Sequence, residues 1–504
     1  MKLGKIAQAA GISLPGSAMP TPAASASGPQ SGADIEITGF AIDHRKVAPG
    51  TVFGAFQGAV VNGEDYIAAA IASGASAIVA RPEASVEGAL HIASDIPRRT
   101  FAALAAQFFG PFPKTIVAVT GTNGKTSTVE MTRQLWRMAG ERAASIGTLG
   151  VTTPDESVST GLTTPDIVTF LSNMSGLARE GVTHVAYEAS SHGLSQYRNE
   201  GISVSAAAFT NFTRDHLDYH GDMDDYFAAK MRLFDEVVAD DAAAIIWTGA
   251  GEWTDRVIDH AKRRGLRLFT VGDHGTSLRL VSRTPTQLGQ TLEIEYEGQK
   301  RMINLPLIGA YQAENALVSA GLVLATGGDA AMVFDGLARL QPVRGRLERA
   351  AITQTGAPVY VDYAHTPDAI EAAIAALRPH VSGRLITVFG AGGDRDHGKR
   401  AEMGRIAAEK SDIAIVTDDN PRSEDPAAIR AEVLRDAPGA REIGDRREAI
   451  FAAVSEAGRD DIVLIAGKGH EQGQIIGSGD TMRILQFDDV TVAREAASPG
   501  AKAQ

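Results

Sequence analysis

A glycine-rich turn between two apolar segments carries the residues best suited to hold phosphate. The run Thr115–Thr120 is apolar and β-branched, which predicts a buried strand, and a helix is predicted from about Lys125. Such a turn aims backbone N–H groups into one concavity beside the positive end of a helix. Lys125 supplies a mobile cation for the β- and γ-phosphates, and the Thr126 hydroxyl suits Mg²⁺. The predicted phosphate-binding residues are Gly121, Thr122, Asn123, Gly124, Lys125, Thr126 and Ser127.

The match to the Walker phosphate-loop pattern is incomplete at one position. The pattern G-x-x-x-x-G-K-[ST] requires glycine at 119, where this chain has Val119. The alternative is a plain strand–turn–helix connection. The order of strand, turn, lysine and threonine favours a phosphate loop.

Polar residues also follow two other predicted strands. Glu188 follows the strand predicted at 182–187, and His216 lies in the loop after the strand predicted at 205–210. The carboxyl ends of parallel strands line the ligand crevice, so both residues are expected to help hold Mg²⁺ with Thr126. For His216 the alternative is an ordinary surface or core hydrogen-bonding residue.

Composition excludes several classes of function. The 504 residues carry a net charge of −13 without a dense lysine or arginine block, so neither nucleic acid nor an anionic membrane is an expected partner. Cysteine is absent, which excludes disulfides and thiolate chemistry. Neither a signal peptide nor an apolar run of about 18 residues is found, so membrane insertion is not expected. A cytoplasmic location is predicted.

Strand and helix patterns alternate along most of the chain, which predicts an α/β protein with mostly parallel sheets. Three domains are predicted, at 1–112, 113–341 and 342–504, the last with a Rossmann-like pattern, and residues 15–32 form an expected flexible segment. Predicted strands cover 35–42, 51–55, 77–80, 115–120, 182–187, 205–210, 243–247, 266–271, 278–282, 291–296, 301–305, 358–362, 384–389, 413–416 and 462–465. Predicted helices cover 66–73, 223–238, 312–325, 368–377, 400–409, 427–435 and 446–457.

Several motifs together resemble those of one enzyme family, the Mur ligases. They are 120–126 (TGTNGKT), 188–193 (EASSHG), 211–220 (NFTRDHLDYH), 361–367 (VDYAHTP), 392–396 (GGDRD), 419–422 (DNPR) and 467–471 (GKGHE). The resemblance spans about 35–490, and the last three motifs are similar to those of the diaminopimelate-adding branch.

The resemblance implies a three-domain ATP-dependent ligase, with a UDP-substrate domain, a central phosphate-loop ATPase domain and an amino-acid-binding domain. The implied substrates are ATP, UDP-N-acetylmuramoyl-L-alanyl-D-glutamate and meso-diaminopimelate, with Mg²⁺ as cofactor and a monomer as the expected state. ATP would phosphorylate the D-glutamyl γ-carboxylate, and the amine of diaminopimelate would displace phosphate from the acyl phosphate.

The resemblance also implies roles for individual residues. By pattern alone Lys230 is an ordinary helix lysine. In the resemblance it matches the carboxylated lysine of the family, which is a ligand for a second Mg²⁺. The implied catalytic residues are Lys125, Glu188, His216 and Lys230. Residues implied to contact the nucleotide are Asn315, Arg346 and Asp362, and the position of Arg346 implies domain closure. Residues implied to hold the UDP-substrate are Ile42, His44, Thr163, Thr164, Ser190, Gln196 and Arg198. One departure is Asp43-His44-Arg45, where the family usually has Asp-Ser-Arg, and 59–61 also differs from the expected polar loop.

The amino-acid pocket has a physical rationale as well. Arg422 offers a rigid two-pronged donor for the distal carboxylate that distinguishes diaminopimelate from lysine, and Glu471 offers an acceptor for its ammonium. The predicted diaminopimelate-binding residues are Arg395, Asp419, Asn420, Pro421, Arg422, Gly467 and Glu471. Alternatives are a lysine-adding ligase, a folyl-polyglutamate synthetase, and a non-catalytic nucleotide sensor on the same fold.

Overall fold

The structure, a computed structural model, describes residues 1–14, 32–58, 61–153, 155–158, 163–217, 219–286, 288–498 and 500. Most of the predicted flexible segment, as well as Ala59 and Val60, lies outside these residues. The chain divides into two compact units. The first comprises Met1–Thr276 with Gly321–Asp329, and the second comprises Ser277–Ala320 with Ala330–Gln504.

The first unit begins with a small parallel sheet. Its strands pair in chain order and are Gly39–Ala41, Thr51–Gly54, Ala75–Ala80 and Leu90–Ala93. The α-helices of this region are Leu3–Ala9, Ile67–Ala72 and Pro97–Phe109, and the 3₁₀ turns are Gly32–Asp34, His44–Lys46 and Gly63–Tyr66. The strands predicted at 51–55 and 77–80 are confirmed.

The strand predicted at 35–42 is wrong in extent, because only Gly39–Ala41 joins the sheet. The residues before it bond to the N-terminus instead: Leu3 N donates to Ile35 O, and Ile37 N donates to Met1 O, both at 2.8 Å. Main-chain groups that are satisfied by the N-terminus are not available for the parallel ladder.

A larger sheet occupies the centre of the first unit. Its strands, in spatial order, are Arg267–Gly272, Val238–Trp247, Val204–Phe209, Thr115–Thr120, His184–Glu188, Ala143–Gly147, Gly150–Thr152 and Ser157–Val158. The run from Arg267–Gly272 to Ala143–Gly147 is parallel, and the last two strands are antiparallel. The helices of this region are Lys125–Met138, Ile167–Arg179, Ser191–Ser195, Met223–Arg232 and Glu252–Arg263.

The helix predicted at 223–238 is too long. The α-helix ends at Arg232, a π-helical turn covers Leu233–Val237, and a strand begins at Val238. The apolar residues of this turn are buried in either conformation, so the apolar pattern does not reveal the change. The predicted strand at 243–247 likewise begins earlier, at Val238.

One apolar core joins the two sheets of the first unit. Phe101 from the small sheet's helix belongs to the same buried cluster as Phe170, Tyr187 and Phe209 around the large sheet. The Phe170 and Tyr187 rings meet edge to face at 5.1 Å. This shared core holds the loops at the ends of both sheets in fixed positions.

The second unit contains an antiparallel meander and a Rossmann-like sheet. The meander strands are Leu278–Thr286, Gly289–Tyr296 and Gln299–Leu305. The second sheet has the order Glu348–Ile352, Pro358–Asp362, Ile462–Ala466, Leu385–Phe389, Ile413–Val416 and Arg441–Glu442, with only its first pair antiparallel among the described strands.

The helices of the C-terminal region flank this sheet and bury apolar faces against it. They are Pro367–Leu377, Gly398–Lys410, Pro426–Leu434, Arg446–Glu456 and Asp489–Ala497, preceded in the chain by Ala310–Ala325 and Ala330–Leu337. Short 3₁₀ turns cover Arg378–His380 and Gly479–Thr481, and a separate hairpin is formed by Gly473–Ile476 and Arg483–Gln486. Within the described residues no helix combines the length and the apolar character needed to cross a bilayer.

Candidate functional site

The phosphate loop joins the strand Thr115–Thr120 to the helix Lys125–Met138. Gly124 caps this helix in the left-handed region, with φ of 85°, which glycine enters without steric cost. Gly121 has φ of 144°, and a side chain there would collide with the Thr210 hydroxyl. Both glycines are therefore required by the turn, as expected of a loop whose backbone closely approaches a ligand.

Asn211 fastens the loop to the end of the neighbouring strand. Its carbonyl accepts from Thr122 N at 2.9 Å, and its side-chain oxygen accepts from Asn123 N at 2.8 Å. The Thr210 hydroxyl donates to Asn123 O at 2.6 Å. The sequence placed Asn211 in a motif but gave it no role, and the structure gives it a structural one.

Two lysines meet at one carbonyl oxygen of this loop. Lys125 Nζ donates to Gly121 O at 3.0 Å and to Thr122 O at 2.8 Å, and Lys230 Nζ donates to the same Gly121 O at 2.7 Å. Lys230 is 1% exposed. Burial, and then the charge of Lys125, hold the pKa of Lys230 well below its usual range, while Asp215 opposes the shift. Lys230 therefore has the features of a reactive amine rather than of a surface cation.

The predicted metal ligands lie around the loop. Thr126 follows Lys125 in the helix and is buried, and Glu188 ends the strand paired with Thr115–Thr120, opposite Val119. The Glu188 carboxylate accepts from Thr148 N at 2.7 Å and from Thr148 Oγ1 at 3.2 Å. Among the residues described, no three His, Asp or Glu side chains form a group that could hold a metal ion.

His216 lies farther out, in the loop after the strand Val204–Phe209. Its backbone is left-handed, with φ of 52°, and its ring is 6.0 Å from that of Tyr226 between centroids. The Tyr226 hydroxyl in turn donates to Thr122 Oγ1 at 3.3 Å. The structure thus connects His216 to the phosphate loop through Tyr226.

Three of the predicted UDP-substrate residues belong to two hydroxyl pairs, and both pairs bond Glu188. Thr164 Oγ1 donates to Glu188 O at 3.0 Å and lies 2.9 Å from Ser190 Oγ. Thr163 Oγ1 lies 3.1 Å from Thr148 Oγ1, which bonds the Glu188 carboxylate. The structure therefore brings Thr163, Thr164 and Ser190 together next to the end of the strand that Glu188 terminates.

The other predicted substrate residues lie at two neighbouring positions. Arg198 donates to Thr164 O at 3.0 Å and to Gln196 Oε1 at 2.6 Å. Arg198, Gln196 and Ile42 line one open cleft. His44 stacks on Tyr66 with ring centroids 4.4 Å apart and an interplanar angle of 11°. This pair presents a flat aromatic surface next to Ile42 in the sequence.

In the second unit, the structure brings together Arg346 and Asp362. Burial raises the pKa of Asp362 to about 6, although the Arg346 guanidinium and two backbone N–H donors oppose the shift. The Arg346 guanidinium lies 4.8 Å from the centroid of the Tyr363 ring. Asn315 is buried on the helix Ala310–Ala325, where Gln312 donates to Arg346 O at 2.8 Å.

Arg422 is held in an unusual backbone conformation by the hairpin. Its φ is 51°, its N–H donates to Ile475 O at 3.1 Å, and its carbonyl accepts from Gly477 N at 2.7 Å. Its Nη1 donates to Gly393 O at 2.8 Å. A non-glycine residue in the left-handed region costs free energy, which the surrounding bonds offset.

Asn420 bonds Glu471 directly, and a buried lysine holds the opposite end of the Asn420 amide. Lys468 is fully buried, and its Nζ donates to Asn420 Oδ1 at 2.9 Å and to Gly473 O at 2.9 Å. Asn420 Oδ1 also accepts from Ile475 N at 3.0 Å, and its Nδ2 donates to Glu471 Oε2 at 2.9 Å. Lys468 thus fixes which end of the Asn420 amide faces Glu471.

The remaining predicted amino-acid-binding residues border this cluster. A side chain at Gly467, whose φ is 124°, would meet the Asp419 carboxylate, and Pro421 O accepts from Glu424 N at 3.1 Å. Arg395 is exposed and donates to Asp394 O at 3.2 Å. The Asp394 carboxylate accepts from Ser423 N at 3.2 Å, so the two arginine-bearing loops are fastened together.

Sequence reasoning missed two residues that shape these sites. Lys468 lies in one of the motifs but received no role, because a lysine between two glycines gives no sign of burial. Arg98, which lines the same cleft as Arg198, was not singled out. The positions of both side chains depend on contacts with residues that are far away in the sequence, and a local sequence pattern does not reveal such contacts.

Comparison with known proteins agrees with this arrangement. Residues 36–108 match the model described as Mur ligase family, catalytic domain; residues 119–323 match the Mur ligase middle domain; and residues 345–469 match the Mur ligase, glutamate ligase domain. The chain belongs to the Mur ligase family. The resemblance predicted from the motifs is therefore confirmed, as is the α/β fold class.

Individual relatives share most of the chain. It is 61% identical over 463 residues (92% of this chain and 95% of the relative) to the UDP-N-acetylmuramoyl-L-alanyl-D-glutamate–2,6-diaminopimelate ligase of Zymomonas mobilis, and 51% identical over 461 residues (91% and 94%) to the ligase of the same name from Bradyrhizobium diazoefficiens. A solved structure of a ligase with this name superposes with a TM-score of 0.69 at 33% identity, covering 92% of this chain and 94% of that one.

Proposed function

We propose that the chain joins meso-2,6-diaminopimelate to UDP-N-acetylmuramoyl-L-alanyl-D-glutamate at the expense of ATP, a step of peptidoglycan precursor synthesis. Family membership makes it an ATP-dependent ligase. The observation that supports the choice of amino acid is the bond from Asn420 Nδ2 to Glu471 at 2.9 Å, because it holds an ammonium acceptor beside the turn that carries Arg422, a carboxylate binder. A zwitterionic side-chain terminus complements this charge pattern, whereas the lone ammonium of lysine would leave Arg422 without an anion.

The reaction has two balanced steps. An oxygen of the D-glutamyl γ-carboxylate attacks the γ-phosphorus of ATP, and ADP leaves to give an acyl phosphate. The diaminopimelate nitrogen then attacks the acyl carbon, inorganic phosphate leaves with the C–O bond electrons, and the nitrogen loses a proton. Lys125 stabilises negative charge on the transferring phosphoryl group, since phosphoryl transfer depends mainly on positioning and electrostatics.

The donor set around the loop fits Mg²⁺. The Thr126 hydroxyl, in the first turn of the helix after the loop, and the Glu188 carboxylate, at the end of the strand paired with Thr115–Thr120, are hard oxygen donors. His216 lies in the loop after the neighbouring strand Val204–Phe209. A carboxylated Lys230 would add an anionic oxygen, and its buried amine of lowered pKa is suited to react with CO₂. Bound Mg²⁺ would supply charge neutralisation during phosphoryl transfer.

The substrate-holding residues follow from the same assignment. The residues that would contact the muramoyl-dipeptide are Thr163, Thr164, Ser190, Gln196 and Arg198. Ile42 and His44 would complete the UDP-substrate site, with His44 at the uridine end. The nucleotide-contacting roles of Asn315, Arg346 and Asp362 stay a prediction from the motifs. We further propose the domain limits 1–112, 113–341 and 342–504, and a monomer that works in the cytoplasm.

The test of the proposed function is ADP release measured with UDP-N-acetylmuramoyl-L-alanyl-D-glutamate and either meso-diaminopimelate or L-lysine. Release that depends on diaminopimelate is expected, with formation of the tripeptide product in equal amount. Preference for lysine would overturn the amino-acid assignment. Absence of any amino-acid-dependent release would overturn the ligase assignment itself.

Replacing Arg422 by alanine is expected to raise the KM for diaminopimelate by tens- to thousands-fold. Losing a charge-assisted contact costs about 2–5 kcal/mol when the substrate carboxylate is left unpaired. The KM for ATP should change little. Steady-state kinetics with each substrate varied in turn measures both values.

Arg435→Ala is the matched control, because that arginine is exposed and pairs only with its neighbour Asp436 among the described residues, at 3.7 Å. It should leave every KM near the wild-type value. An unchanged diaminopimelate KM in Arg422→Ala would remove Arg422 from the pocket.

A further inference from the structure

An open cleft of about 350 Å³ in the first unit contains an arginine to which the proposed function gives no role. The cleft is lined by Ile42, Phe56, Arg98, Asp166, Ile167, Gln196, Tyr197 and Arg198. Ile42, Gln196 and Arg198 are assigned to the UDP-substrate. Arg98 enters the cleft from the first turn of the helix Pro97–Phe109, far from them in sequence.

Both arginines of the cleft are oriented by neutral groups. Arg98 Nη2 donates to Gln57 O at 3.1 Å, and its guanidinium lies 4.8 Å from the centroid of the Phe56 ring. Arg198 donates to Thr164 O and to Gln196 Oε1. Each guanidinium has five N–H donors, so these bonds orient the groups and leave further donors to face the cleft.

The acid in the lining is engaged elsewhere. Asp166 caps the helix Ile167–Arg179, where its carboxylate accepts from Val168 N at 3.0 Å, from Thr169 N at 3.1 Å and from Thr169 Oγ1 at 2.7 Å. The cleft therefore has two guanidiniums against one capping carboxylate, an excess of positive charge in a protein whose net charge is −13.

The two cations also disfavour each other. Burial, followed by the charge of Arg198, lowers the pKa of Arg98. Burial also lowers the pKa of Arg198, although the charge of Asp166 opposes that shift. Among the described residues neither guanidinium forms an ion pair, and two partly buried cations in one cleft are unfavourable by themselves. An anion bound between them would remove the repulsion and use the donors that face the cleft.

The order of groups along the substrate identifies this anion. Ile42 lies beside His44, which is assigned to the uridine end, whereas Gln196 and Arg198 are assigned to the muramoyl-dipeptide. The group that connects uridine to the muramoyl sugar is the diphosphate. We propose that Arg98, acting with Arg198, binds the diphosphate of the UDP-linked substrate and thereby sets the requirement for a nucleotide-linked sugar.

This inference rests on the proposed function, and its test separates the two. Arg98→Ala should raise the KM for UDP-N-acetylmuramoyl-L-alanyl-D-glutamate about 10- to 100-fold, as expected for a lost charged hydrogen bond, with the KM values for ATP and diaminopimelate little changed. Arg98→Lys should fall between. The adjacent Arg99→Ala is the control, because Arg99 pairs with Glu236 and Glu200 instead of lining the cleft.

A truncated substrate distinguishes the diphosphate from the D-glutamyl carboxylate as the anion. With N-acetylmuramoyl-L-alanyl-D-glutamate, which lacks uridine diphosphate, wild type and Arg98→Ala should have the same KM. A persisting 10- to 100-fold difference would assign Arg98 to the carboxylate and overturn the proposal. Wild type without ligase activity on the complete UDP-linked substrate would instead overturn the proposed function.

Calorimetric binding of UDP and of uridine gives a readout independent of turnover. Arg98→Ala should bind UDP about 10- to 100-fold more weakly than wild type and bind uridine equally well. Equal UDP affinity in the two proteins would overturn the proposal. If Arg98→Ala fails to fold, judged by circular dichroism, the same comparison with Arg98→Lys decides the matter, because a lysine cannot reproduce the two-pronged contact.

Discussion

Lys125→Ala is expected to lower kcat by a factor on the order of 10³ or more, the scale seen when a cation that stabilises phosphoryl transfer is removed. Lys125 is the mobile cation of the phosphate loop, and its Nζ rests on the carbonyls of Gly121 and Thr122. The side chain is partly exposed, so its removal leaves no large cavity and the fold should persist. Single-turnover ADP formation measures the loss.

The control for this variant is Lys114→Ala, which removes an exposed lysine just before the strand Thr115–Thr120. It should retain wild-type turnover. Thermal melting of both variants checks that they are folded. Turnover by Lys125→Ala within a few-fold of wild type would show that the loop does not handle the transferred phosphate.

Lys230→Ala is expected to lower kcat by a factor on the order of 10² to 10³, similar to the loss of one preorganised electrostatic group. Lys230 is buried beside Lys125, and burial holds its pKa well below the usual value, so the neutral amine that reacts with CO₂ is more available than in an ordinary lysine. Lys230→Glu should recover a small part of the activity, since it restores an anionic oxygen.

A readout besides activity tests the same residue. After incubation with ¹³C-bicarbonate, wild type should give a carbamate resonance in its ¹³C spectrum that is absent from Lys230→Ala and present in the exposed-site control Lys262→Ala. An unmodified Lys230 amine in a fully active enzyme would contradict the carbamate assignment.

The sequence predicted most of the sheets because their strands are continuous apolar runs. Strands such as Leu385–Phe389 and Ile462–Ala466 are buried on both faces, so composition alone marks them. The hairpin Gly473–Ile476 and Arg483–Gln486 was not predicted, because its strands are short and none of their residues is buried. The limits of the predicted strand 35–42 and helix 223–238 were wrong because main-chain pairing and a π-helical turn, rather than apolar pattern, set them.

The parts of the site that could be predicted from the sequence are those whose functional residues lie together in short motifs. The phosphate loop and the Asn420–Arg422 turn are of this kind, and the ligase assignment drawn from them is confirmed by relatives across most of the chain. The environment of a side chain is not local information. The burial of Lys230 and Lys468 and the shared cleft of Arg98 and Arg198 arise from residues far apart in the chain. The bond from Lys230 to Gly121 joins residues 109 positions apart, and the bond from Lys468 to Asn420 joins residues 48 apart.

The single carbonyl shared by Lys125 and Lys230 makes the phosphate loop a point of thermodynamic linkage. Neutralising either ammonium changes the field at the other, so carboxylation of Lys230 and binding of a nucleotide phosphate at Lys125 cannot be independent equilibria. Linkage is reciprocal: if carboxylation changes the affinity for ATP by some factor, bound ATP changes the stability of the carbamate by the same factor. Coupling free energies of this kind are typically about 1–3 kcal/mol. The apparent affinity for ATP would then depend on the concentration of dissolved CO₂.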